Sequence, residues 1–211
     1  MIYVLISIIL IATVAVVANI LAKSGKLSAE LARKLVHMTL GMSIFVTSIF
    51  SNKTWTAALL SISLGAVVIA RESGLFSSFR KVGRRSNGDL YYLIGVLGAL
   101  ILASSQAAFG IAVLILTFAD AAAAIVGKAA GKHQFHVIGE TKSIEGSLTF
   151  LLVAAVIIAT YVVFGPSSTR SDYILLAVLP LVLMIFELAS PKGLDNLSLP
   201  IAATLLVNLL S

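Results

Sequence analysis

No cysteine occurs in the 211 residues, which excludes disulfides, thiolate metal sites and a cysteine nucleophile. Charge is scarce too: 11% of the chain is Asp, Glu, Lys or Arg, against about 25% in soluble domains. Several chemical signatures are missing. No G-x-x-x-x-G-K-[ST] phosphate loop exists, since "GKAAGKH" has the wrong spacing and ends in His133; H-E-x-x-H and G-x-S-x-G are absent as well. The chain shows no long internal repeat and no inverted pair of interrupted helices, which argues against a secondary transporter. Low-complexity segments and long linkers are lacking. What is abundant is apolar: 59% of residues are hydrophobic and the mean hydropathy is +1.08.

This composition predicts an all-α, polytopic integral membrane protein in which residues 1–211 form a single membrane-embedded domain. Eight apolar stretches can be drawn: roughly Ile2–Ala22, Leu35–Phe50, Trp55–Ala70, Leu90–Ala103, Ala107–Gly127, Ser147–Phe164, Tyr173–Leu188 and Leu197–Leu210. Several fall short of the ~20 residues of a perpendicular span, so local thinning or helical extension into the headgroups is expected. The first stretch lacks a basic n-region and is followed by seven more, so it reads as a retained helix rather than a secretory signal. Function is then left to helix ends and short loops.

The basic residues orient the bundle. Lys23, Lys26, Arg33 and Lys34 fall in the first loop, Arg71, Arg80, Lys81, Arg84 and Arg85 in the third, Lys128, Lys132 and Lys142 in the fifth, and Lys192 in the seventh. The even loops hold only Lys53 and Arg170. Thirteen of fifteen on one side make that side cytoplasmic by the positive-inside rule and place both termini outside. The formal charge of +6 is therefore a topology signal or an anionic-lipid patch, not a nucleic-acid surface. Eight of nine acidic residues, all but Asp172, share the same side, and neither explanation accounts for them.

The costliest residue is Asp120, inside the alanine-rich "LTFADAAAAIVGK". A carboxylate in a membrane helix costs about 2.5–3.5 kcal/mol and is functional by default. Asp120, Ala124, Gly127 and Gly131 share one face by helical spacing, which as a bare small-residue stripe is a packing seam. "GETKSIEGS" places Lys142 and Glu145 three apart where the sixth helix begins, followed by Gly146 and Ser147. Thr141 or Ser143 as N-cap with Glu145 in the first turn is the structural explanation. It leaves Lys142 unexplained, because a lysine opposes the helix dipole there, and a positive charge so placed implies that something negative binds.

"ELARKLVHMTLG" sets Arg33, His37 and Gly41 at i, i+4, i+8. In "RRSNGDLYY", Arg84 and Arg85 suit headgroups, and Asn87 and Asp89 suit a turn or cap. "FELASPKGLDNLSLP" puts Glu187 at the inner end of helix seven and Asp195–Asn196 just before helix eight. Asp or Asn there is an N-cap signature, yet a carboxylate beside an amide also suits Mg²⁺. A zinc site from His133, His136 and Glu140 is conceivable, but spacing alone recruits such sets by chance. Carboxylates for a hard cation, lysines and arginines for phosphates and glycines for close approach, all at one membrane face, form a kit for phosphoryl or nucleotidyl transfer to a lipid.

Four motifs, "RKLVHMTLG", "DAAAAIVGKAAGK", "TKSIEGS" and "SPKGLDNLSLP", in that order, resemble the CTP-dependent lipid-alcohol kinases, the group of dolichol, phytol and farnesol kinases and the CTP-using diacylglycerol kinase. The likeness runs from about Glu30 to Pro200. It implies phosphate transfer from CTP to a lipid hydroxyl with Mg²⁺, at a site facing the cytoplasm. Carried over residue by residue, it marks Arg33, Lys34, His37, Asp120, Gly127, Gly131, Lys142, Glu145, Gly146, Asp195 and Asn196. The expected catalytic set is Asp120, Lys142, Glu145 and His37. The expected nucleotide contacts are Arg33, Lys34, Gly127, Lys128, Gly131, Lys132, Ser143 and Gly146, and the expected metal ligands are Asp120, Asp195 and Asn196.

Many members carry Gly where this chain has Ala119, and dolichol kinases carry added N-terminal helices that this chain lacks. A polyprenol or phytol-type alcohol and diacylglycerol therefore stand as equal acceptors. The CDP-diacylglycerol synthases have a related layout, but "KSIEG" lacks their aromatic residue and "GLDN" stands where their arginine-bearing signature falls. A phosphatidate cytidylyltransferase is thus the second reading, and a non-enzymatic anionic-lipid-binding protein or small transporter the third.

Overall fold

The computed structural model describes residues 1–73, 75, 87–138, 140–164, 170–190 and 193–210. Among the described residues the chain forms eight helical rods: α1 (Ile2–Lys23), α2 (Ala29–Phe50), α3 (Lys53–Glu72), α4 (Gly88–Leu102), α5 (Gln106–Ala130), α6 (Ile144–Phe164), α7 (Arg170–Ala189) and α8 (Asp195–Leu210). Each coincides with one of the apolar stretches. Four of them, α1, α3, α5 and α6, are long and apolar enough to cross a membrane. The apolar helices Gly88–Leu102 and Leu176–Ala189 are shorter.

Helix starts follow from side-chain caps, which satisfy the free N–H groups of a first turn. Ser28 accepts from the Leu31 amide at 3.2 Å and so begins α2 a full turn and more before its apolar run. Asn52 caps α3 through the Trp55 amide at 3.0 Å, and Ser105 caps α5 through the Ala108 amide at 3.1 Å. Pro180 and Pro200 lie within α7 and α8, a placement that packed membrane helices tolerate because neighbours re-satisfy the freed backbone.

α5 is the central rod. Two thirds (67%) of its apolar window is buried, against 17–22% for the other three long helices. Its Ile115 and Leu116 pack in one core with Ile44 of α2, Leu59 and Leu60 of α3, Tyr92 and Leu93 of α4, Phe150 and Ile158 of α6, and Leu179 and Leu183 of α7. α1 lies at the periphery against α2 and α3, burying only Val4, Ser7 and Ala18.

Two features depart from the sequence reading. The segment drawn as a plain fifth loop folds into an antiparallel hairpin, β1 (Gln134–Val137) and β2 (Glu140–Ser143), with Gln134 opposite Ser143 and Val137 opposite Glu140. Within α5, Ile115–Ala119 is π-helical: the Asp120 amide donates to the Ile115 carbonyl five residues back rather than four. Such bulges change the register of a helix locally and concentrate at functional sites. This one ends at Asp120.

Candidate active site

Asp120 is buried, and its carboxylate is met by Lys34 from α2, with Nζ donating to Oδ2 at 2.6 Å. His37, one turn further along α2, brings Nε2 to 3.9 Å from the same oxygen. Nε2 also lies 3.2 Å from the Leu116 carbonyl of the π segment. A carbonyl only accepts, so this contact places the proton on Nε2. The His37 ring stands edge-on to Tyr92 with centroids 4.2 Å apart, and the Tyr92 hydroxyl is 3.5 Å from that of Thr117. The α2 face turned to Asp120 is thus Lys34, His37 and Gly41, at i, i+3, i+7. A Cβ at Gly41 would collide with the side chains of Thr117 and Tyr92, so only glycine lets α2 approach the bulge this closely. Arg33 is rotated off this face. It is 42% exposed and pairs with Glu30 of its own helix at 2.6 Å.

A second buried pair lies across the bundle. Lys142 on β2 donates to Glu187 Oε1 at 2.7 Å and to the backbone carbonyl of the same residue. A carboxylate of α7 thus meets Lys142, where the sequence led to the expectation of a bound anion. Glu145, expected in the catalytic set, takes the His133 imidazole at 2.7 Å and the His133 amide at 3.3 Å. Sequence reasoning placed Glu187 at a helix end and did not carry it into the site. Its partner is 45 positions away, and no local spacing reveals the pair.

Asp195 and Asn196 open α8 beside these pairs. Asp195 Oδ1 accepts from the Asn196 amide at 2.8 Å, and Asn196 Nδ2 reaches the Gly88 carbonyl at 3.2 Å. Asp195 lies before the apolar run of α8, at its interfacial end. Burial first, then the negative charge of Asp120, pushes its carboxyl up to about 7. Two buried acceptors, Glu187 Oε2 and Asn196 Oδ1, have no hydrogen-bond partner among the described residues. Unsatisfied buried acceptors are costly and call for an explanation. Three carboxylates, two lysines and an amide, from α2, α5, β2, α7 and α8, thus converge at one end of the helices.

The remaining candidates divide. Ser143 Oγ accepts from the Gly146 amide at 3.1 Å and caps α6, which is the structural role foreseen for it. Gly127, Gly131 and Gly146 form a tight seam around this serine: a Cβ on Gly127 would lie 3.1 Å, on Gly131 2.7 Å and on Gly146 3.1 Å from Ser143 Oγ. Close packing of α5 on the start of α6 accounts for these glycines. Lys128 and Lys132 are exposed at the end of α5 and beyond it. Asn87 and Asp89 both bind Arg71, at 2.7 and 2.9 Å.

The conceivable zinc set is not assembled, since His133 faces Glu145 and His136 faces Thr141 at 3.1 Å. Among the described residues no three His, Asp or Glu side chains come together around a metal position. Arg80, Lys81, Arg84, Arg85 and Lys192 lie outside the described residues.

Compared with known proteins, the chain is 26% identical over 197 residues to phytol kinase of Synechocystis sp. (strain ATCC 27184 / PCC 6803 / Kazusa), a match covering 92% of this chain and 84% of the relative. This similarity supports the likeness to a phytol/polyprenol kinase-type family read from the motifs. No family model matches, and no solved structure matches. The similarity to phytol kinase is the observation that gives the buried cluster a reaction to be weighed against.

Proposed function

We propose that the protein is a membrane lipid kinase that transfers phosphate from CTP to the hydroxyl of a lipid alcohol of the polyprenol or phytol type. One observation carries the reading. In a chain similar to phytol kinase over 92% of its length, the one carboxylate placed deep in a central membrane helix, Asp120, is held by Lys34 at 2.6 Å with an imidazole at 3.9 Å. In the proposed reaction the acceptor oxygen bonds to the terminal phosphorus of the donor and the bond from that phosphorus to the bridging oxygen breaks. CDP leaves, and the hydroxyl proton passes to the Asp120 carboxylate. Lys142, with Lys128 at the rim, holds phosphate oxygens once the donor displaces part of the Lys142–Glu187 contact, and His37 orients the acceptor.

The residues present fit Mg²⁺. Asp120, Asp195 and Asn196 are all oxygen donors, Asn196 Oδ1 is buried without a partner among the described residues, and the charge of Asp120 acts on Asp195. Mg²⁺ usually takes one or two carboxylates and completes its shell with water and substrate phosphates, so a ready-made protein cage is not required. When bound, the ion supplies neutralisation of phosphate charge. A site facing the cytoplasm follows from the basic loops.

The test is purified protein with CTP labelled on the terminal phosphate, Mg²⁺ and a panel of lipid alcohols, diacylglycerol and phosphatidate, with ATP in parallel. Label in a lipid monophosphate together with CDP is the expected result. Label in pyrophosphate together with a CDP-lipid would move the protein to the cytidylyltransferases. No transfer to any lipid by verifiably folded protein would leave a lipid-binding scaffold.

A further inference from the structure

An apolar groove of about 400 Å³ runs between α1 and α2, lined by Ile6 and Leu10 of α1, Met38, Met42 and Ser43 of α2, and Phe118 of the π segment. Its volume is within the range of ~300–1,000 Å³ typical of ligand sites. Three features distinguish it from an ordinary seam between lipid-facing helices. One end reaches the part of α2 that carries the candidate site, since Met38 lies four residues after Lys34 and so on nearly the same face, and Phe118 belongs to the π segment that ends at Asp120. From there it leads away from the loop joining α1 to α2, hence away from the charged cluster and into the apolar part of the bundle. Its lining carries no charge, and the hydroxyls of Ser7 and Thr39 are already engaged, with Thr47 at 3.2 Å and with the Leu35 carbonyl at 2.9 Å. A hydrocarbon chain suits such a wall, and a charged headgroup would find no counter-charge.

Resting on the kinase reading above, we infer that this groove binds the hydrocarbon chain of the acceptor alcohol and sets which chain lengths are phosphorylated. A lipid alcohol seated there has its hydroxyl at the Met38–Phe118 end, next to His37 and Asp120, and its chain along α2 toward Val46. Met38 to Val46 is a rise of about 12 Å, less than half of a ~30 Å hydrocarbon core. The groove thus grips the first part of the chain and leaves the remainder in the bilayer. α1, which contributes no residue to the charged cluster, acquires a function as the second wall.

Ser43 is the position at which to test this. It is buried, and its hydroxyl has no partner among the described residues, so replacing it forfeits no hydrogen bond seen there while adding bulk inside the groove. Ser43→Phe is expected to lower kcat/KM for geranylgeraniol about tenfold or more, the scale on which pocket volume discriminates apolar groups, while kcat/KM for the short alcohol prenol changes less than about twofold. Met42→Ala, which widens the same wall, is expected to move the ratio of the two constants the other way. The ratio does not depend on the fraction of enzyme that folds, and Met42→Ala decides the matter if Ser43→Phe cannot be purified. A ratio unchanged in active variants would sink the groove and leave the kinase reading standing, with ordinary bilayer lipid as the occupant. A folded wild-type protein that phosphorylates neither alcohol would sink both.

Discussion

Lys34 and Asp120 offset each other's burial. Side chains about nine-tenths buried and 2.6 Å apart are stabilised by their mutual attraction, while either one alone faces the desolvation penalty of a charge in an apolar interior. Removing one partner of such a pair costs about 3–5 kcal/mol, whereas replacing both with apolar groups of similar volume is often neutral. Lys34→Met and Asp120→Leu are each expected to lower the unfolding midpoint in detergent markedly, and the double variant to recover most of the loss. Kinase activity should be absent in Asp120→Leu and in the double variant. A double variant as unstable as the sum of the singles would show that the two residues are not coupled.

This pair also marks the limit of what the chain alone discloses. "ELARKLVHMTLG" points to α2 as a site helix, and His37 and Gly41 belong to both possible faces. Choosing between Arg33 and Lys34 needs the helix rotation to within about 100°, the angle between neighbours, and tertiary packing sets that angle.

At the scale of elements, the joint between α5 and α6 is built on absent side chains. Gly127, Gly131 and Gly146 surround the Ser143 cap, and a Cβ on Gly131 would strike the Gly127 carbonyl and come to 2.7 Å from Ser143 Oγ. Backbone cannot move aside cheaply, so Gly131→Ala is expected to cost about 1–3 kcal/mol, the usual penalty of overpacking. At Gly127 the nearest atom is the Ser143 hydroxyl at 3.1 Å, and Gly127→Ala is expected to be much milder. Thermal unfolding of the two variants in the same detergent checks the order, and equal effects would deny that the seam is tightest at Gly131.

The rods themselves were legible because hydropathy and the caps at Ser28, Asn52 and Ser105 are local signals. The hairpin was not. Two strands of four residues, "QFHV" and "ETKS", show no clean alternation. The hairpin puts Lys142 beside a carboxylate of α7, which no spacing within the loop announces. The π segment left no mark either, since it follows from how α5 fits between α2 and α6 and not from its own apolar residues.

For the whole molecule, the side that the cluster faces decides whether a water-soluble donor can reach it. Four helices are long and apolar enough to span a bilayer. The eight-span arrangement with both termini outside is a proposal that rests on thirteen basic residues sharing one set of loops. The absence of cysteine makes it directly testable, because single cysteines can be introduced without first removing native ones. Lys26→Cys and Gln134→Cys sit on the loops assigned to the cytoplasm, and Lys53→Cys on a loop assigned to the outside; all three positions are exposed. In intact cells a membrane-impermeant maleimide is expected to label Lys53→Cys only, and permeabilisation to release labelling at the other two. Labelling of Lys26→Cys and Gln134→Cys before permeabilisation would invert the bundle. It would also place Lys34, Asp120 and Lys142 on the side away from the cytoplasmic nucleotide pool, and a CTP-dependent reaction there would lack its donor. A split between Lys26→Cys and Gln134→Cys would mean that the helices between them do not all cross. The short rod of α4 would then be an embedded helix packed within the bundle, and the convergence of α2, α5, β2, α7 and α8 on Asp120 would need a different membrane placement to reach a water-soluble donor.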